Sequence, residues 1–151
     1  GNESNLGGEK ENFRIGLGLS NTKKMHGAVT SGACDPGAAE LVLSYPGSDS
    51  SQGQWFIPSI NELNELCKFA NSQETGVKTQ VCRRTDIGRP EFDHGVSEAD
   101  NPFINLDNHA YWSSSAGSAN NQANMFVFGK TIGGGEHWTG TRHIVRPVRA
   151  F

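Results

Sequence analysis

The sequence predicts a loop-rich α+β domain. Glycine is abundant at 19 residues, helix formers do not dominate, and hydrophobic residues make up a moderate 34%. That balance suits neither a helical bundle nor a parallel-sheet enzyme. A length of 151 residues fits one domain with one sizeable core. The formal net charge of -3 supplies no basic footprint for nucleic acid. Arg83-Arg84 and Arg142, Arg146 and Arg149 read as local clusters on a charged surface.

Residues 1–12, rich in Gly, Asn and Glu, read as a flexible lead-in or linker remnant, and residues 13–151 as a single domain. Phe13, Ile15, Leu17 and Leu19 alternate with Arg14, Gly16 and Gly18, a period-two pattern that predicts a first strand. Asn21 or Thr22 is placed to cap a short helix through Lys23–Thr30. Asp35 as cap and Pro36 at the first helical position predict a second helix through Ala38–Leu43.

The clearest local signal is Ser59-Ile60-Asn61-Glu62. Ser59 caps, and Glu62 reaches back to the cap N–H, the pattern of a capping box. Leu63, Leu66, Cys67 and Ala70 then share one helical face, which makes Cys67 a small buried hydrophobe or a disulfide partner rather than a nucleophile. Trp55, Phe56 and Ile57 ahead of it make a short strand or a tight approach to the core. Cys34, Cys67 and Cys82 allow one disulfide and one free thiol, with three pairings open.

From Asn71 to His109 the composition predicts long loops. Asp86, Asp93, Asp100 and Asp107 are spread through them without the dense alternation of oxygen ligands that a calcium loop needs. No cofactor is expected, and calcium would enter only through these acids. Tyr111–Ser115 reads as a strand, and Met125–Phe128 as another with apolar groups on both sides. Gly133-Gly134-Gly135 reads as a turn or flexible loop, without the lysine of a phosphate loop. Ile144–Arg149 closes the chain as a strand in which Pro147 favours an edge or a bulge.

Between Tyr111–Ser115 and that last strand lies a long polar run with one short apolar strand in it. Unpaired polar and aromatic side chains at this density point to a surface that meets a partner, and so to a binding module rather than an enzyme. The residues expected to form it are Asn120, Asn121, Asn124, Phe126, His137, Trp138, Thr139, Arg142 and His143. Trp138, flanked by Gly133–Gly135 and Gly140, is expected on a loop as an aromatic anchor. Trp55 and Trp112 are assigned to packing, Arg146 and Arg149 to bracing loops or carboxylates, and Phe151 to the core or a groove. His137 and His143 with Glu136 are the one candidate metal cluster near this end. No cysteine lies nearby, and no metal site is expected. A triad written from Ser113, His109 and Asp107 lacks a nucleophile elbow.

Trp55-Phe56-Ile57-Pro58-Ser59-Ile60-Asn61-Glu62-Leu63-Asn64-Glu65-Leu66, the later Tyr-Trp-Ser-Ser-Ser and the terminal Val-Arg-Pro-Val-Arg-Ala-Phe together resemble a bacterial family. It is the group of DUF1566 or Lcl C-terminal-type domains, which have a C-type-lectin-like fold. The resemblance runs from about Asn21 to Phe151, with these three blocks as its specific part. It implies two helices, a small mixed sheet, long irregular loops, and chain ends brought together by terminal strands. It also implies a parent protein on a cell surface, outside the cell or on a virion, such as an adhesin or lipoprotein. Related domains serve as variable receptor-binding proteins of diversity-generating retroelements, with substitutions concentrated near the C-terminus, and Ser115–His143 looks like such a segment.

The sequence departs from two other users of that fold. The Trp-Asn-Asp and Glu-Pro-Asn motifs of calcium-dependent sugar-binding lectins are absent, and Asn108–Trp112 does not supply them. The late cysteine pair of the formylglycine-generating enzymes is missing too, since the last cysteine is Cys82. The resemblance implies a protein or glycan on a cell surface as partner, and the net charge argues against nucleic acid. The rivals are a glycan-binding adhesin module and a structural or assembly domain. No apolar stretch approaches the roughly 20 residues of a membrane span, so no membrane insertion is expected. Gly1 in place of Met suggests a processed or excised chain, so the lack of a visible signal peptide leaves the parent's address open.

Overall fold

The computed structural model describes residues 14–32, 37–46, 54–70, 73–76, 80–82, 109–128 and 133–149. They form three helices, α1 (Gly18–Thr30), α2 (Ala38–Leu43) and α3 (Ile60–Ala70). Three strands follow, β1 (His109–Ala116), β2 (Gln122–Phe128) and β3 (Gly133–Trp138). The strands make one antiparallel sheet in the order β1-β2-β3. The architecture is α+β, with helices gathered before the sheet in sequence and α3 packed on one face of it. Among the described residues no helix is long and apolar enough to cross a membrane. The lead-in, Asp35 and Pro36, the four loop aspartates, Cys34 and Phe151 lie outside the described residues.

α3 begins as its capping box predicts. The Ser59 N–H donates to Glu62 Oε2 at 2.6 Å, and the Glu62 N–H donates to Ser59 Oγ at 3.3 Å. The same two side chains reach backwards in the chain: Glu62 Oε1 accepts the Gly16 N–H at 2.7 Å, and Ser59 Oγ donates to the Arg14 carbonyl at 3.0 Å. One cap therefore also anchors the turn that leads into α1. Ile60, Leu63 and Cys67 then face Cys82, Tyr111 of β1 and Phe126 of β2 in the main apolar cluster. Cys67 and Cys82 form a disulfide. Asn64 ties the same segment to α3, accepting the Cys82 N–H at 2.8 Å and donating to the Gln80 carbonyl at 3.0 Å.

The expected first strand is instead a turn and a helix. Gly16 sits at φ 89°, a left-handed conformation that breaks an extended run, and Ile15 is exposed. Asn21 and Thr22 are not caps but buried members of α1, which starts at Gly18. Its buried face is Gly18, Asn21 and Thr22, so apolar periodicity carries no trace of it. Gly18 is needed there: a Cβ would stand 2.7 Å from the Phe56 ring. Thr22 Oγ1 donates to the Gly18 carbonyl at 2.8 Å and accepts the Ile57 N–H at 2.9 Å, tying α1 to the segment before α3.

In α2 Gly37, not Asp35, is the residue at the cap. Glu40 accepts the Gly37 N–H at 2.7 Å, half of a capping box, since glycine has no side chain to return the bond. Burial pushes the Glu40 carboxyl up. The hydrogen bonds from the Gly37 and Glu40 backbone and from His26 outweigh it and hold the group below the ordinary range.

The sheet departs from expectation in two places. Gly133-Gly134-Gly135 opens β3 rather than forming a loop, paired with Val127, Phe126 and Met125. Glycine is a poor strand former alone, and here the β2 ladder holds it extended. Ile144–Arg149 is not a laddered strand: Ile144 makes an isolated parallel bridge with Tyr111, and Val148 an antiparallel one with Phe56. The ladder of three strands is antiparallel rather than mixed.

Candidate functional site

β1 and β2 fall out of register between Trp112 and Ala116, where β1 advances four residues while β2 advances two, from Met125 to Ala123. The bulge holds Ser113-Ser114-Ser115, and all three hydroxyls are buried. Ser115 Oγ accepts the Ile60 N–H at 3.0 Å, satisfying a donor that the first turn of α3 leaves open. Ser114 Oγ accepts a bond of 3.4 Å from Asn21, and the Ser114 N–H donates to the Pro58 carbonyl at 2.8 Å. Ser113 Oγ donates to the Asn124 carbonyl at 2.7 Å and accepts the Ser115 N–H at 3.2 Å. With its residue 2% exposed, the Ser113 hydroxyl is committed to backbone partners.

The pleat divides the polar run between two faces of the sheet. Residues directly opposite across a ladder share a face. Tyr111 and Phe126 therefore face α3 together, and Gly134, Asn124 with Glu136, and Gln122 with Trp138 lie on the same side of the sheet. The opposite, outer face carries Trp112, Met125 and Gly135 in one row and Ala123 with His137 in the next.

Asn124 and Phe126 thus do not belong to a displayed surface. Both are fully buried, at 0% exposure. Phe126 lies in the core against α3, and Asn124 Nδ2 donates to the Ala116 carbonyl at 2.8 Å, a backbone oxygen that the bulge frees from the ladder. Their place follows from strand phase, which sets them on the same side as Tyr111.

The other seven expected residues reach the surface in two groups. Asn120 and Asn121 are exposed on the β1–β2 turn, which closes through Gly117 N–H to the Gln122 carbonyl (2.8 Å) and Gln122 N–H to the Ala119 carbonyl (3.0 Å). The Asn121 carbonyl in turn accepts both the N–H and the hydroxyl of Thr139, at 2.9 and 3.3 Å. A second turn, with the Thr141 N–H on the Trp138 carbonyl at 3.0 Å, follows directly. These bonds zip two turns into one tip. At it stand Asn120, Asn121, Thr139, Arg142 and Trp138, the last 57% exposed. Trp138 ends a strand rather than riding on a loop. Below the tip, Ser118 donates to Glu136 at 2.5 Å, so the Glu136 carboxylate turns away from the histidines.

The second group lies on the outer face. The chain leaves β3 at one edge of the sheet and returns to the other, where the Ile144 N–H bonds the Ala110 carbonyl (3.1 Å) and the Trp112 N–H bonds the Ile144 carbonyl (2.9 Å). His143, just before that return, meets His137 with Nε2 and Nδ1 3.3 Å apart. Trp112 stands edge-on to the His143 ring at 4.7 Å between centroids, and 6.4 Å from His137. Burial first, and then the neighbouring His137, hold His143 below its ordinary value, so near neutral pH it is an uncharged ring.

Trp112 is a member of this cluster that the sequence reading assigned to packing. The strand phase of Tyr111-Trp112 carries the signal: with Tyr111 in the core, Trp112 must face out. Trp55 is packed as expected, half-buried between Tyr45 (5.4 Å, edge to face) and the Arg149 guanidinium (5.3 Å). Arg146 lies close enough to Tyr111 to offset part of the rise that burial imposes on its phenol. Among the described residues no group of three or more His, Cys, Asp or Glu is arranged to hold a metal ion. The His109 side chain and Asp107, proposed partners of Ser113, lie outside the described residues.

No protein-family model, curated protein or solved structure matches the chain.

Proposed function

We propose that this chain is a non-catalytic ligand-binding domain of the C-type-lectin-like kind, similar to DUF1566 or Lcl C-terminal-type domains. Its tip of Asn120, Asn121, Trp138, Thr139 and Arg142 takes a macromolecular partner, a protein or glycan on a cell surface. The observation that carries this reading is Trp138, 57% exposed at the end of a hydrogen-bonded strand and flanked by exposed amide, hydroxyl and guanidinium groups. A large aromatic held in water without covering its own core is the usual form of an interface anchor. The two turns beside it are bonded to each other, so little ordering entropy opposes binding.

The scaffold supports the resemblance in a second way. Its three specific blocks meet: Phe56 pairs with Val148, Pro58 and Ile60 bond Ser114 and Ser115, and Arg146 lies near the Tyr111 phenol. Such an arrangement gives a fixed frame from which the turns between Ser115 and His143 vary at little cost to the core, as a diversified receptor binder requires. The Cys67–Cys82 disulfide fits an oxidising compartment outside the cytosol.

The test is a screen of the folded domain against arrays of cell-surface proteins and glycans, with calcium and with a chelator. On any ligand found, Trp138→Ala weakens binding by about 1 kcal/mol or more with the fold intact. Equal affinity of variant and wild type contradicts the assignment. Loss of signal on chelation would instead favour a calcium-assisted glycan module.

A further inference from the structure

The geometry points to a metal site on the outer face of the sheet: His137 and His143 chelate one late first-row divalent transition ion, of the zinc, nickel or copper class. It does not rest on the partner-binding reading, since it involves the isolated chain alone and a different face of the sheet from Trp138.

Two imidazole nitrogens bound to one ion at ~2.0–2.1 Å and a near-tetrahedral angle stand ~3.3 Å from each other. His143 Nε2 and His137 Nδ1 are 3.3 Å apart. A hydrogen bond between neutral rings also fits that spacing, but it uses a single proton, which an ion replaces with two bonds. Both nitrogens are atoms through which histidine commonly ligates. The two rings are not free to drift: His137 is fixed on a strand paired with Ala123, and His143 is set one residue before the Ile144 bridge to Tyr111. The rings meet at 61° with centroids 5.0 Å apart, and Trp112 stands against His143. Two chelating nitrogens are thus held in place before any ion arrives.

The site is open. Glu136 faces the other side of the sheet and is engaged by Ser118, so two ligands come from this chain and water or a partner's donor fills the remaining positions. All-imidazole ligation selects for zinc, nickel and copper over magnesium and calcium, which prefer oxygen.

The experiment is calorimetric titration of the folded chain with Zn2+, Ni2+ and Cu2+, with Mg2+ and Ca2+ as controls, alongside Tm with and without each metal. The expected result is one saturable site per chain for the three transition metals, tightest for Cu2+, and none for Mg2+ or Ca2+. With Zn2+ at about ten times its Kd, Tm rises on the order of 4 °C. His137→Ala and His143→Ala each lower the affinity tenfold or more. Since His143 also packs on Trp112, His137→Gln serves as the variant that keeps a polar partner for His143 while losing the ligand, and it too must lose the site. Absence of a saturable site, or one unchanged in His137→Gln and His143→Ala, overturns the proposal and leaves a hydrogen-bonded pair only.

Discussion

The Ser113–Ser115 bulge and the Asn120–Thr139 tip are built from the same kinds of residue and put them to opposite uses. In the bulge, the Ser113 and Ser115 hydroxyls and the Asn124 amide point inward to backbone groups, the Asn124 carbonyl, the Ile60 N–H and the Ala116 carbonyl, while the Ser114 hydroxyl accepts from the Asn21 side chain. At the tip it is the backbone that closes the turns, through Asn121, Thr139 and Trp138 carbonyls and amides, and the Asn120, Asn121 and Trp138 side chains are left outside. A polar residue is therefore structural where the backbone needs it and available where the backbone has satisfied itself. Composition does not separate these cases. The hydrogen-bond account does.

The comparison is broken most severely in the core on which the bulge rests. Phe126→Ala is expected to cost about 3–5 kcal/mol in urea unfolding, because the ring is enclosed by α3 and Tyr111 and cannot be replaced by water. A cost below about 1 kcal/mol would mean that Phe126 belongs with the tip after all. Reduction of the Cys67–Cys82 disulfide, which joins positions 15 apart, is expected to lower stability by about 3 kcal/mol, read from unfolding with and without reductant.

A smaller and more diagnostic loss is expected at the bulge. Ser115→Ala leaves the Ile60 N–H buried without its acceptor, at about 1–2 kcal/mol. Asn121→Ala at the tip, where the backbone carbonyl makes the bonds, should stay within about 0.5 kcal/mol. Equal effects at the two positions would erase the distinction.

The smallest effect is that of pH on the outer face. His143 is held below its ordinary value of 6.5 in the folded chain, so the unfolded chain takes up this proton first as pH falls. Its contribution is present in full above about 6.5 and is lost as pH drops through the folded value. Stability measured from pH 7.5 downward should fall in that window, and His143→Ala should flatten the slope. A slope that survives the substitution would assign it to other groups.

The sequence made some of this legible and hid the rest for physical reasons. α3 was readable because Ser59 and Glu62 mark its start and Leu63 and Cys67 its face. β1 and β2 were readable from the aromatic pair Tyr111-Trp112 and the apolar run Met125–Phe128. α1 was not, because the side it buries is Gly18, Asn21 and Thr22, chosen for close approach and hydrogen bonding rather than apolar area. β3 was not, because three glycines owe their extended form to the partner strand. At the candidate site, seven of the nine expected residues reach the surface. Asn124 and Phe126 do not, because one phase choice on β2 turns them inward with Tyr111. The same choice turns Trp112 outward to His143. Residue type does not reveal how the exposed members divide between the tip and the outer face, since His137 and Trp138 are neighbours in sequence and point to opposite sides.

The central claim, that the tip is displayed for a partner rather than kept for packing, is tested most directly by probing one array of cell-surface proteins and glycans with wild type and Trp138→Ala in parallel. The account predicts a defined set of wild-type signals that fades in the variant while both proteins unfold at the same urea concentration. Signals of equal strength from the two proteins, or a variant that unfolds early, would contradict it.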